Sequence, residues 1–247
     1  MSQSWDAKNY VSHASFVAEY GSPVLALLTP MQGERVLDLG CGDGALTLKI
    51  VESGANVYAV DSSESMVKSA KARGLNAEVK NGERLNFDGE FDSVFSNAAL
   101  HWMLDYKSTI QGVYRSLVTN GRFVGEFGGE GNVQHIVCAM RQVFDENSEF
   151  GDFVNPWVFP SAERYKAELE NVGFHVEYIE SFSRPTPLTS GLGKWLNIFA
   201  NSIVSNLTDY QRKKFLKEVE LLVKPKLYKD QIWEADYVRL RFVARKA

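Results

Sequence analysis

Three glycines, Gly40, Gly42 and Gly44, alternate with Cys41 and Asp43 directly after the run Arg35-Val36-Leu37-Asp38-Leu39, and a helical apolar pattern over residues 45–53 follows at once. A short apolar run halted by glycine and resumed as a helix predicts strand, tight turn, helix. Glycine in such a turn lets a ligand approach the backbone with no side chain in the way. A lone glycine-rich turn is a weak signal, because several kinds of nucleotide cofactor use one. The alternate spacing here departs from the G-x-G-x-x-G dinucleotide pattern, which counts against a nicotinamide-dependent dehydrogenase. Asp38 stands just before the loop, where a carboxylate is awkward beside a pyrophosphate and suits a cationic ligand. Cys41, flanked by glycines, has no neighbour in sequence that would lower its pKa and reads as an inert thiol.

The alternation repeats down the chain. Residues 56–60 read as a second strand ending at Asp61, and Ser62 or Ser63 caps a helix over 64–73 that Gly74 stops. Further strands are expected at 76–80, 91–96 and, after an Asn120-Gly121 turn, 122–127, with a helix near 106–118. Strands alternating with helices predict an α/β fold, a mostly parallel sheet covered on both faces. Asp61, at the end of its strand, stands where a carboxylate accepts hydrogen bonds from ribose hydroxyls. After Gly131 the rhythm loosens: helices at 133–144 and 162–172, a strand at 174–179, a loop at 184–193, helices at 195–204 and 208–223, and a closing strand at 236–243. Ahead of the first strand, apolar residues over 11–28 read as two short helices interrupted by Gly21 and Pro23.

Composition excludes other classes. The chain has 247 residues, 45% of them hydrophobic and 23% charged, which is ordinary for one large globular domain. A net charge of −4 gives no basic footprint, so nucleic acid is not the expected partner. No apolar run reaches the roughly 18 residues of a membrane span. The first ten residues carry no signal-peptide core, and a cytoplasmic location is expected. Cys41 and Cys138 are too few for a disulfide framework, and the four histidines are scattered, so no metal is expected.

The ordered set of motifs carries a family resemblance. Asp38-Leu39-Gly40-Cys41-Gly42-Asp43-Gly44 resembles the D-x-G-x-G-x-G motif of class I S-adenosylmethionine (SAM)-dependent methyltransferases. Ala59-Val60-Asp61-Ser62-Ser63-Glu64-Ser65-Met66 looks like the family's second-strand motif and Asn81-Gly82-Glu83-Arg84-Leu85-Asn86-Phe87 like its third. Phe91-Asp92-Ser93-Val94-Phe95-Ser96-Asn97-Ala98-Ala99-Leu100-His101-Trp102 looks like its fourth. The resemblance, over roughly residues 30–130, implies a Rossmann-like seven-stranded sheet in the order 3-2-1-4-5-7-6, strand 7 antiparallel, with a helical cover. It implies SAM as cofactor and S-adenosylhomocysteine (SAH) as product. Carried over residue by residue, Gly40, Cys41 and Gly42 border the methionine part, Asp38 organises the loop and Asp61 takes the ribose. Ser62, Met66, Asn81 and Gly82 lie beside the adenine, and Asn97 and Ala98 near the methionyl ammonium. Asn81 departs from the family's usual aspartate, and its amide accepts a hydrogen bond without charge.

A closer resemblance is to the trans-aconitate methyltransferase-like group, through Trp5-Asp6-Ala7-Lys8-Asn9-Tyr10, Asn97-Ala98-Ala99-Leu100-His101-Trp102 and Phe159-Pro160-Ser161. It implies a small-molecule methyl acceptor, a carboxylic acid. The group's arginine-rich D-E-R-x-R-P stretch is replaced by Ala18-Glu19-Tyr20-Gly21-Ser22-Pro23, so acid specificity does not carry over with it. Arg184, Lys194, Arg239 and Arg241 lie in the divergent region and are the candidates for holding an acid there. A phenol or amine acceptor, and a non-catalytic SAM- or SAH-binding protein, stay open as alternatives. Tyr10, His101, Trp102, Trp157 and Trp195 are the candidate pocket residues. No catalytic residue is fixed; His101 and His13 are the candidate bases, since an ordinary imidazole titrates near neutrality. The expected organisation is a single domain, with an N-terminal helical cover over 1–29, a SAM-binding core over 30–130 and a C-terminal part over 131–247 holding a helical insertion near 181–235. The oligomeric state, monomer or dimer, is not readable.

Overall fold

The computed structural model describes Trp5 and residues 21–247. The expected helix over residues 11–20 lies outside the described residues; its continuation is α1 (Ser22–Leu28), with Pro23 in the first turn, where a missing N–H costs nothing. The described residues divide into two compact units, one of them Trp5, residues 21–130, Val158–Ser181 and Arg239–Ala247.

That larger unit holds the expected sheet. Its strands are β1 (Arg35–Leu39), β2 (Asn56–Asp61), β3 (Ala77–Val79), β4 (Phe91–Asn97), β5 (Leu117–Gly128) and β6 (Phe174–Ser183). Between them run α2 (Ala45–Val51), α3 (Glu64–Ala72) and α4 (Tyr106–Ser116). β1 lies parallel between β2 and β4 because its side chains are buried on both faces, Val36 toward one layer and Leu37 and Leu39 toward the other. The helix after it, α2, starts at Gly44, and α3 is capped by Ser63, whose hydroxyl accepts from the Met66 N–H.

The expected turn at Asn120-Gly121 is an irregularity inside β5 instead. Asn120 takes φ 63, and the β4–β5 register jumps between Phe91↔Leu117 and Ser93↔Arg122, so the ladder continues on both sides of the left-handed residue. One face of the sheet packs Leu37, Phe123, Phe127, Leu240 and Phe242 against Tyr165 and Leu169 of a helix that Ser161 caps and Gly173 ends, as the sequence predicts.

The other unit comprises, among the described residues, Gly131–Trp157 and Phe182–Val238. In chain order its helices around the expected stretches are α5 (Gln134–Glu146), before α6 (Ala162–Val172) of the larger unit, then α7 (Leu192–Phe199) and α8 (Asp209–Leu227), the last opened by a capping box of Thr208 and Gln211. It also carries a small sheet that periodicity does not reveal, β7 (Thr186–Pro187), β8 (Tyr228–Lys229) and β9 (Ile232–Ala235), in the order β7-β9-β8. Two-residue strands are too short to show a period, and the β8–β9 hairpin turns at Asp230 and Gln231 with φ 50 and 63 and no glycine to announce it.

β10 (Val238–Lys246) closes the main sheet, whose order is β3-β2-β1-β4-β5-β10-β6. It runs antiparallel to β5. With the small strands set aside, this is the 3-2-1-4-5-7-6 order. The reversal brings the start of β10 to the carboxyl edge of the parallel strands, where Arg239 stands opposite Gly128.

Candidate functional site

The carboxyl ends of β1, β2 and β4 meet at the glycine loop. The N–H groups of Gly40 and Cys41 both donate to the Val60 carbonyl, at 2.8 and 3.0 Å, and the Ser96 hydroxyl donates to the Leu39 carbonyl at 2.7 Å. The loop is thereby tied to the strand on each side. Its glycines differ in what they need. A Cβ on Gly40 (φ 80) would fall 2.2 Å from the Ala99 Cβ, so that residue is glycine for packing. Gly42 (φ 57) has nothing within 4 Å of such a Cβ, and its bare face opens outward.

Two carboxylates flank the loop. Asp61 is fixed by backbone, Oδ2 accepting from the Gly42 N–H at 3.0 Å and Oδ1 from the Ser63 N–H at 2.9 Å. Burial pushes its pKa up, against those hydrogen bonds. Asp38 is buried at 3% exposure and accepts a 2.6 Å hydrogen bond from the Thr47 hydroxyl. Burial drives its carboxyl up to about 7, the Thr47 bond opposes this, and the charge of Asp61 adds to it. Cys41 is buried, and burial, then Asp38 and Asp61, push its thiol far above the ordinary range, which keeps it inert. Thr47 and Ser96 are the members of this edge that sequence reading missed. Neither has a motif; Thr47 is distinguished only by its place in the first full turn after the loop.

The other predicted residues gather around the same strand ends. Met66 is buried on α3 and Ser62 is exposed before it. Asn81 turns its side-chain oxygen back to the Glu83 N–H at 2.8 Å, capping a short 3-10 turn. Gly82 is buried, and a Cβ there would come 2.6 Å from the flexible end of the Met103 side chain. Ala98 adopts φ 55 and donates its N–H to the Glu126 carbonyl at 2.7 Å, turning the chain out of β4 beside Asn97.

Beyond Ala98 the chain enters a 3-10 turn, Leu100–Trp102. His101 is buried there at 8% exposure. The Gly128 N–H donates to its Nδ1 at 3.3 Å, and its ring lies against Phe159 and Trp102. Burial, and secondarily the charge of Arg239, hold its pKa well below the ordinary imidazole value. The near-neutral titration on which its candidacy as a base rested is therefore absent. Trp102 meets Trp5 edge to face at 5.0 Å, and the Trp5 carbonyl accepts from the Ser65 hydroxyl. Tyr10 and His13 lie outside the described residues.

Trp157 and Trp195 belong to the smaller unit. They are buried together at 6.3 Å, and the Trp195 indole donates to the Tyr237 hydroxyl at 2.6 Å. Of the candidate cations, Arg241 is engaged by Glu126 at 2.6 Å, Lys194 is exposed, Arg184 stacks over Phe182, and Arg239 is buried. Among the described residues no group of three or more His, Cys, Asp or Glu could hold a metal, and no helix is long and apolar enough to cross a membrane.

Comparison with known proteins agrees with this arrangement. Residues 37–125 match the family described as a methyltransferase domain. The chain is 39% identical over 256 residues to an uncharacterized methyltransferase of Schizosaccharomyces pombe, covering 98% of each. It is 35% identical over 112 residues to a trans-aconitate 2-methyltransferase of Rhodococcus jostii, covering 43% of each. In fold it is similar to a SAM-dependent methyltransferase of Mesorhizobium loti, with a TM-score of 0.58 at 21% identity, over 93% of this chain and 98% of that one. The chain belongs to the class I SAM-dependent methyltransferases.

Proposed function

We propose that the chain binds SAM at the Gly40–Gly44 loop and methylates a carboxyl oxygen of a small molecule. The observation that carries the cofactor reading is the loop itself, with Gly42 bare toward open space between a buried Asp38 and a backbone-fixed Asp61. The donor set fits the group. A cationic methionyl end suits the Asp38 side, and the Asp61 oxygens keep lone pairs for two ribose hydroxyls after accepting from Gly42 and Ser63. Met66 offers an apolar face for adenine. Asn81 is exposed beside this edge, its side-chain oxygen accepting from the Glu83 N–H.

When bound, SAM supplies a sulfonium-activated methyl group for in-line displacement. The protein's task is then approach and orientation. A carboxylate acceptor is ionised near neutral pH and needs no base, which agrees with a buried, uncharged His101. The partial similarity to a trans-aconitate 2-methyltransferase supports an acid as acceptor. The test is incubation of the pure protein with methyl-labelled SAM and a panel of small acids, phenols and amines, with mass identification of the product. Label recovered as a methyl ester is expected. Transfer to amines or phenols alone would refute the acid reading.

A further inference from the structure

The outward face of α8 carries a chemistry that neither the cofactor loop nor the acceptor reading uses. Phe215, Val219, Val223 and Leu227 recur every fourth residue and are buried, which fixes the side of the helix that packs inward. On the opposite side Tyr210, Lys213, Lys217, Leu221 and Lys224 follow at steps of three and four, so they form one stripe. Tyr210 is 77% exposed and Leu221 60%, and the three lysines are exposed with them. At 1.5 Å per residue the stripe is roughly 21 Å long.

The charge of the stripe is of one sign. Residues 209–232 hold seven Lys and Arg against four Asp and Glu, in a chain whose net charge is −4. The glutamates of the helix turn away from the stripe. Glu218 accepts from the Asn147 amide at 2.9 Å, and Glu220 is turned toward Gly193 of α7. Lys214, beside the stripe, is ion-paired with Glu149. Among the described residues no carboxylate pairs with Lys213, Lys217 or Lys224, and Lys224 leans over the Tyr228 ring at 5.2 Å.

Shape and charge together select the partner. The stripe follows the crest of a single helix and is convex, which fits a flat, soft surface better than the side chains of a folded protein. Tyr210 and Leu221 are its apolar points, and the ammonium groups stand beside them on long aliphatic stems. When apolar side chains sink into the headgroup layer of a bilayer, such stems let the ammonium groups reach back to the phosphates. Tyrosine suits that boundary, with one end apolar and the other wet. Each lysine near an anionic leaflet strengthens attachment by about fivefold.

We propose that the stripe from Tyr210 to Lys224 is a docking surface for an anionic lipid bilayer, with Tyr210 and Leu221 in the headgroup layer and Lys213, Lys217 and Lys224 on the lipid anions. This is attachment to a membrane face and involves no spanning helix. It stands apart from the reading of the methyl acceptor and uses no residue of the cofactor loop.

The test is sedimentation of the full chain with vesicles of phosphatidylcholine alone and of phosphatidylcholine mixed with phosphatidylserine. Attachment to the mixed vesicles alone is expected, and it should be lost in about 1 M salt, where charges are screened beyond about 3 Å. Lys217→Glu combined with Lys224→Glu should weaken it by at least about tenfold. Leu221→Ser should weaken it several-fold and leave binding to heparin, a soluble polyanion, unchanged. All three substitutions lie at exposed positions, so circular dichroism and SAM affinity should match the parent chain. No attachment to either vesicle, equal attachment to both, or attachment indifferent to the lysine pair would overturn the proposal. Heparin binding without vesicle binding, or vesicle binding indifferent to Leu221→Ser, would overturn it in favour of a soluble polyanion such as a nucleic acid or an acidic protein.

Discussion

The edge formed by β1 and β2 and the edge formed by β4, β5 and β10 are built by opposite means. At the first, almost every contact is made by residues within one turn of a strand end, and the backbone does the holding: Gly40, Cys41, Gly42 and Ser63 donate N–H groups to Val60 and Asp61. At the second, His101, Gly128 and Arg239 come from three separate parts of the chain, assembled by the reversal of β10. A backbone-made site tolerates change in most side chains and is written as a contiguous motif. A side-chain-made site can be retuned one residue at a time.

That contrast can be broken most sharply at the loop. Gly42→Val places a branched side chain at φ 57 facing open space, with strain of about 1–2 kcal/mol and no clash inside the protein. The expected outcome is a folded chain, by circular dichroism, that no longer binds SAM in calorimetry. Gly40→Ala is its control: the added Cβ meets Ala99 at 2.2 Å, so loss of stability should come with any loss of binding.

Next in size is a change that should leave binding alone. The Glu34–Arg122 pair, 2.8 Å apart and largely buried, also ties the end of α1 through Arg122 to the Leu28 carbonyl. Arg122→Met strands a buried carboxylate and should cost about 3–5 kcal/mol in urea unfolding. SAM affinity at a temperature where the variant is still folded should be that of the parent chain.

A pH titration separates the edges again. Asp38 moves from its ordinary value near 3.8 up to about 7 when buried. The folded chain therefore holds this proton more tightly than the unfolded one. The stability so gained is fully present below about pH 4 and is lost as pH rises through about 7. A cationic ligand has the reverse preference and needs the carboxylate. SAM affinity should fall as pH drops below 7, by at most about tenfold per unit, and Asp38→Asn should flatten the profile. A profile in the parent chain already flat between pH 5.5 and 8 would remove Asp38 from the cofactor edge. The smallest effect is expected at Asn81→Asp, which restores a charge to an exposed position: a gain of roughly 1 kcal/mol or less in SAM affinity by calorimetry.

The same difference governs what is legible in the sequence alone. β1 with its loop, the Ser63 cap and the helix from Ser161 to Gly173 were legible because each is set by neighbours in sequence, whereas the order of the sheet came only through the family resemblance. The places of Asp38 and Asp61 at the ends of β1 and β2 follow from the same local pattern. Thr47 and Ser96 were not, since nothing local marks a hydroxyl that closes on a strand end. His101 was legible as a residue, while the Gly128 N–H on its Nδ1 and the burial that lowers its pKa are tertiary facts. Arg239 and Arg241 were indistinguishable in sequence, and only the register of β10 against β5 gives Arg241 to Glu126. The small sheet of β7, β8 and β9 left no trace because two of its strands are two residues long and the third only four, too few to establish an alternation.

The central claim is that the Asp38–Asp61 edge is a SAM site, and calorimetry of the parent chain and Asp61→Ala with SAM and with NAD tests it most directly. The account predicts binding of SAM in clear preference to NAD, and a loss of about 1–3 kcal/mol in SAM affinity when the Asp61 carboxylate is removed. Equal affinity for NAD, with no change on Asp61→Ala, would contradict it.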